Sequence, residues 1–406
     1  MSSGFTLLTV RGFFRFPSSK TRLLEETKNS ALLRSLWSQN EVGTSLNAPT
    51  TLPMELKTKD EIYDEVKLAN PEKKGISLTA KQGLAYGKEL MKFYKTGITN
   101  VWNNKRVMNE LMKNYKITRQ VNNKGDDVDI QIPNFTKLTQ ELALSLSMNQ
   151  IENRAINERM NEVKHKDTLN QTNLFNLSRS QFQLINRTSQ DFKKIPFFVI
   201  ICLIFVETTP LLCYAVPQIT PSTCVLPSIV PRLWNANASI KLANIRNSLD
   251  QQQLEKLALK TAYNLPLNQV QLLCKALRLT FKFIPIQLYP ESLLRTRLNN
   301  YYNYLKVDNY YLSGFNNGNI WDLSDQELFN ACLERNLIKD FSKFDEINKM
   351  KDQSLKKQSL NAYYDELRIK LFKFIIDFEN YNVGYLGLTH VIDQPNEIEV
   401  IMKWRN

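Results

Sequence analysis

Between Ile195 and Pro231 the chain runs for 37 residues with a single charged side chain, Glu207. The first 23 of these, IPFFVIICLIFVETTPLLCYAVP, are apolar enough and long enough to cross a bilayer, which takes about 20 residues as a helix. The run lies mid-chain, so it is not a signal peptide. Its interior is not that of a plain anchor. Glu207 puts a carboxylate near the middle, where a charge is costly and commonly marks function. Pro210 removes a helix hydrogen bond and kinks the axis. Glu207 and Pro210 are therefore the membrane-embedded functional candidates, within one expected span at about 195–217. Lys193 and Lys194 precede the run, where long basic side chains snorkel to the interface. Pro217, Pro221, Pro227 and Pro231 make the exit irregular.

Charge limits the partners. The 406 residues carry a formal charge of +13 with a pI near 9.3, which favours an anionic partner, either nucleic acid or an acidic membrane surface. The excess is concentrated: Arg232 to Lys306 holds 11 Lys/Arg against 3 Asp/Glu. The five cysteines, Cys202, Cys213, Cys224, Cys274 and Cys332, form no CxxC pair, and the two histidines are His165 and His390. No zinc constellation can be assembled from these, so neither metal nor cofactor is expected, and the thiols suggest a reducing compartment. No phosphate loop or nucleophile elbow is present, and the chain is not expected to be an enzyme. The first 24 residues contain Arg11, Arg15, Lys20 and Arg22 and no acid, the composition of a mitochondrial transit peptide, expected over 1–40.

The rest reads as helix. Residues 41–176 form a polar N-terminal region. In it, 40–75 resembles a linker with one short helix at 59–68, and a helix begins at Thr79 with a Thr79–Gln82 capping box. Residues 103–175 are rich in Asn, Lys and Gln, with a weak alternation in DVDIQIP, helices expected at 136–165 and a mobile loop before them. Ser178 and Gln181 mark the start of a helix that runs into the apolar segment, giving a pre-membrane helix and span over 177–221. Beyond it, helices are expected at 237–248, 250–263, 267–279, 290–305, 324–334 and 359–379, with a second capping box at Ser324–Glu327. The lysine-rich stretch 340–358 reads as a loop. The fold class is all-α: one transmembrane helix followed by a compact multi-helix domain over 222–392, then a tail at 393–406.

Four motifs in order resemble the mitochondrial Letm family of inner-membrane proteins. The first is Leu177-Ser-Arg-Ser-Gln181 with Ile185-Asn-Arg-Thr188, Asp191 and Ile195-Pro-Phe197. The second is Phe205-Val-Glu207 with Pro210, Pro217 and Pro221-Ser-Thr223. The third is Leu293-Leu-Arg-Thr-Arg-Leu298 with Tyr304-Leu-Lys-Val-Asp308. The fourth is Leu323-Ser-Asp-Gln-Glu-Leu328 with Ala331-Cys-Leu-Glu-Arg335. Asn309 stands where that family has a second acid. Asn336 stands where it has glycine, and asparagine also tolerates the left-handed conformation of a helix C-cap.

The resemblance implies a single-pass inner-membrane adaptor with its C-terminal domain in the matrix, binding the mitochondrial ribosome and supporting insertion of nascent chains. Cation/proton (K+/H+) exchange, or its support, is the alternative. Implied partners are the ribosome, inner-membrane lipid, and a second copy or related Letm-family chain. On this reading Arg278, Lys282, Arg295, Arg297 and Lys306 are candidate ribosome or RNA contacts. Asp308, Ser324, Glu327 and Arg335 hold the fold at helix ends, where charges satisfy orphan backbone groups.

Overall fold

The computed structural model describes residues 46–72, 75–120, 127–159, 177–204, 212–213, 216–226, 230, 236–313, 320–338, 341–350 and 352–389. The expected transit peptide (1–40), Glu207, Pro210 and the tail (393–406) lie outside the described residues. The chain divides into two units that interleave along the sequence, rather than the successive regions read from it. The larger comprises Met1–Asn47, Ile117–Arg179 and Trp234–Asn406, and the smaller Ala48–Lys116 and Ser180–Leu233.

In the smaller unit, α1 (Lys59–Ala69) opens with a true capping box. The Thr58 hydroxyl accepts from the Glu61 amide and the Glu61 carboxylate accepts from the Thr58 amide. It packs on α2 (Ile76–Asn114), a helix of 39 residues. The buried positions of α2 include Phe93, Tyr94, Gly97, Val101, Asn104 and Met108, the three- and four-residue spacing of one helical face. This helix begins three residues before Thr79. Gly75 sets the start at φ +67°, a backbone that residues with a β-carbon rarely adopt. Thr79 consequently lies inside the helix and donates to the Gly75 carbonyl, while the Gln82 amide donates to the Tyr63 carbonyl.

The expected linker is in part a packed segment. Ala48, Thr51 and Leu52 are buried around a 3-10 turn at Pro49–Thr51. The Thr50 carbonyl accepts from Asn104 at 2.9 Å, and the Thr51 hydroxyl accepts from Arg187 at 3.0 Å.

Close approach of backbone fixes Gly97. Thr223 donates its hydroxyl to the Gly97 carbonyl at 3.0 Å, and a β-carbon at this position would stand 2.5 Å from Cys224 Sγ and 2.8 Å from the Thr223 carbonyl oxygen. Gly97→Ala is expected to destabilise the protein by about 1–3 kcal/mol, the usual cost of overpacking. A thermal unfolding midpoint equal to that of the parent chain would contradict this packing.

In the larger unit, a two-stranded sheet pairs β1 (Lys116–Gln120) with β2 (Asp127–Gln131), so the alternation in DVDIQIP marks a strand in a fold that is otherwise helical. Helix α3 (Phe135–Arg159) packs along α8 (Glu291–Leu312), and α5 (Ala236–Asn247) against α7 (Leu267–Ala276). Helix α9 (Asp325–Glu334) and α10 (Ser342–Lys349) both lie on α11 (Gln353–Asn380). The stretch read as a loop at 340–358 therefore holds α10 and the start of α11. Its lysines are used in part: Lys343 pairs with Glu366, and the Asp352 side chain caps α11 by accepting from the Ser354 amide. The short helix α6 (Gln251–Ala258) meets the 3-10 turn Val383–Gly387.

Helix α4 (Arg179–Ile204) starts directly after Ser178, where the sequence places a helix start, and contains Pro196. Its last ten residues are the beginning of the apolar run. Among the described residues, no helix is long and apolar enough to cross a membrane, so the transmembrane helix of the expected fold class is not found. Of the expected span at 195–217, residues 205–211 and 214–215 lie outside the described residues.

Candidate functional site

Helix α8 is half polar, yet Asp308 near its end is fully buried. Burial alone pushes its carboxyl up, but the guanidinium groups of Arg179 and Arg335 beside it outweigh burial and hold it well below the usual carboxylate range. Arg179 Nε donates to Asp308 Oδ1 at 2.8 Å, and Arg335 Nη2 donates to Asp308 Oδ2 at 2.6 Å. Arg179 Nη1 reaches Glu327 at 3.4 Å and the Leu46 carbonyl at 2.9 Å. Arg335 also donates to Asn309 Oδ1 and to the Ala331 carbonyl, and its guanidinium lies over the Phe374 ring at 5.7 Å.

Two arginines and two carboxylates thus form an electrically neutral box with no exposed side chain. Its geometry corrects the helix-end reading of Asp308, which lies inside α8 and pairs with arginines rather than with backbone. Ser324 does cap α9 by accepting from the Glu327 amide, but the reciprocal half of the box is missing. The Ser324 amide donates to Asn47 instead, because Glu327 is turned to Arg179. Asn309 is a neutral acceptor for Arg335. Asn336 takes φ +55°, with the Leu337 amide closing on the Cys332 carbonyl at 2.9 Å, the left-handed C-cap the sequence allows. Arg179 was not among the sequence candidates. Two acids on helices that otherwise bury leucine and tyrosine were the signal that a cation had to be supplied from elsewhere.

The smaller unit has its own buried carboxylate. Asp191 on α4 accepts from the Ser222 amide at 2.9 Å and from the Ser222 hydroxyl, and pairs with Lys194 at 3.1 Å. Ser222 also donates to the Thr51 carbonyl. One turn later α4 becomes two-faced. Ile195, Phe198 and Ile201 are buried, and Phe198 meets the ring of Tyr94 at 6.0 Å. Phe197, Ile200, Leu203 and Ile204 face outward, Leu203 with 74% and Ile204 with 66% of its surface exposed. This outward apolar stripe sits just past Lys193 and Lys194.

The five basic candidates fall in two groups. Arg295 clamps the end of a turn by donating to the carbonyls of Ala262, Tyr263 and Leu265, and pairs with Glu291. Arg297 donates to the Leu279 carbonyl at 2.8 Å and lies over Tyr289, and Lys306 donates to Ser147 at 2.8 Å. These three are engaged within the unit. Arg278, at the end of α7, and Lys282, on the loop after it, are exposed and also make contacts within the protein.

Reactive groups are muted. Burial pushes the thiols of Cys224, Cys274 and Cys332 up to about 12 and raises that of Cys213, the opposite of what a nucleophile needs. Among the described residues, no three His, Cys, Asp or Glu side chains come together to hold a metal ion.

Comparison with known proteins gives one match. The family described as the pentamidine resistance factor domain matches residues 46–313, well over half of the chain. That family is mitochondrial, which agrees with the basic, acid-free N-terminus. It is not the Letm family, and its match takes in the first three Letm-like motifs and stops short of the fourth. The resemblance is overturned. Letm-type ribosome binding with nascent-chain insertion and K+/H+ exchange, the two functions expected with it, are overturned too. Of the motif residues, Arg179, Asp308, Glu327 and Arg335 are held together by buried ion pairs, so their order records that packing and does not by itself mark a family. No curated protein and no solved structure matches the chain.

Proposed function

We infer that this chain, which belongs to the pentamidine resistance factor family, is a non-catalytic protein of the mitochondrial inner membrane, held there by the end of α4 and the apolar run that follows. The observation carrying this reading is the outward face of Phe197, Ile200, Leu203 and Ile204. Four large apolar side chains on successive turns of one helix, next to the exposed Lys193, suit the boundary between headgroups and acyl chains. Residues 205–217 extend the same apolar sequence, interrupted only by Glu207. The net charge of +13 supports anionic lipid as the partner. Non-catalytic character is supported by the buried carboxylates, neutralised by arginine, and by thiols that stay protonated. We read the pentamidine resistance in the family's description as a consequence of this membrane role.

The test is flotation of the full chain with cardiolipin-containing vesicles. Ile200→Asp with Leu203→Asp is expected to cut vesicle binding at least tenfold, since a central aspartate costs about 2.5–3.5 kcal/mol in an inserted helix. Undiminished flotation of a variant with parent-like helical circular dichroism would contradict the reading.

A further inference from the structure

We propose that the loop between α7 and α8, residues 280–289 of the larger unit, is a second lipid contact that lays Phe281, Phe283, Ile284 and Leu288 into the headgroup region of an anionic bilayer. The proposal rests on the reading that the protein works at a membrane, and it concerns a part of the chain remote in sequence from α4.

All four side chains are exposed, Phe283 at 61% and Leu288 at 72%, within eight residues of sequence. Exposed apolar surface of this density in a soluble setting marks an interaction site. The loop is built, not loose. The Phe281 amide donates to the Tyr289 hydroxyl at 3.1 Å, and the Ile284 amide to the Phe281 carbonyl at 3.3 Å. The Leu288 amide donates to the Pro285 carbonyl at 3.0 Å. Ile286 is buried and pins the centre, and Arg297 holds the base through the Leu279 carbonyl and the Tyr289 ring. The backbone is thus fixed in a form that turns its apolar side chains outward, where they gain nothing within the unit.

Charge chooses the occupant. From Lys260 to Asn300 there are six Lys/Arg against one acid, Glu291. Lys282 stands between two phenylalanines, the pattern in which an apolar stem follows the rings inward while the ammonium stays at the phosphates. Arg278, at φ +59°, closes α7 as a left-handed C-cap, with the Leu279 amide donating to the Cys274 carbonyl at 2.8 Å, and leads into the loop. Apolar rings interleaved with cations, with one acid nearby, match an anionic lipid surface. A protein partner would call for more directional polar groups.

The test uses the full chain reconstituted into vesicles of phosphatidylcholine, with or without cardiolipin, and a polarity-sensitive fluorophore placed through Phe283→Cys or, separately, Leu203→Cys. The unsubstituted chain treated identically supplies the background from native thiols. At position 283 the emission is expected to shift to the blue and rise several-fold with cardiolipin only, and high salt should reverse it, because the electrostatic part is screened. Adding Phe281→Ser and Leu288→Ser should abolish that response while leaving the probe at 203 unchanged. An unshifted probe at 283 beside a shifted one at 203 overturns this proposal and leaves the anchor reading standing. The converse pair of results sinks the anchor and keeps the loop. An equal response in neutral vesicles overturns the anionic specificity.

Discussion

Asp308→Ala is expected to cost the larger unit about 3–5 kcal/mol, enough to unfold it or nearly so, because it leaves two buried guanidinium groups without their shared partner. Arg179 and Arg335 both aim at this carboxylate, from 2.8 and 2.6 Å, and neither side chain reaches solvent. Glu327 balances one arginine at 3.4 Å and cannot serve both. Asp308→Asn, which keeps the shape and one acceptor, should fall between the two. Replacing all four members by apolar residues of similar volume is expected to cost far less than Asp308→Ala, since buried ion pairs contribute little beyond their own desolvation.

The sign of the pH dependence follows from the folded state. The folded carboxyl titrates below its unfolded value, so the box contributes its full stability above about pH 4 and loses it as pH falls into the strongly acid range. Urea unfolding followed by circular dichroism, at neutral and acid pH, measures both effects. A neutral-pH loss below 1 kcal/mol for Asp308→Ala would remove the box from the account.

Gly384→Ala should be nearly as severe, for a different reason. The Gly384 amide donates to the Lys260 carbonyl and the Asn382 amide to the Ala258 carbonyl, both at 2.9 Å, which draws the turn Val383–Gly387 against the end of α6. An added β-carbon would overlap the Leu257 carbonyl oxygen and stand 2.8 Å from its carbon. Those are backbone atoms and cannot swing aside. About 3 kcal/mol is expected, at the upper end of overpacking costs, which lowers the melting midpoint of a unit this size by roughly 6–12 °C. Gly387→Ala is the control: its β-carbon meets side-chain methyls at 3.5 and 3.6 Å, ordinary contact distances. Equal midpoints for the two variants would show that the turn does not dock as described.

These two sites show where sequence is readable and where it is not. Helix positions follow from local spacing and caps, and the expected segments at 59–68, 237–248 and 324–334 lie within one residue of the observed ones, and that at 267–279 within three. Where another residue took over the role a local signal suggested, that signal misled. Thr79 looked like a cap, but Gly75 had already started the helix. Glu327 looked like half of a capping box, but Arg179, 148 residues away, claims its carboxylate. The polar stretch before residue 59 looked like a linker, but Thr50 and Thr51 are drawn in by Asn104, Arg187 and Ser222. The outward loop at 280–289 gave no period at all. It is visible only once burial is known, because Phe, Ile and Leu in sequence read equally well as core. The family resemblance failed by a related route: Arg179, Asp308, Glu327 and Arg335 stand in their motifs because they pair in the core, and that pairing does not mark a family.

Extraction of isolated mitochondria with alkaline carbonate tests the membrane reading most directly. The full chain should remain in the membrane pellet, since the outward face of α4 and the apolar run after it hold by apolar burial, which carbonate does not disrupt. Recovery of the protein in the supernatant, together with known peripheral proteins, would contradict it.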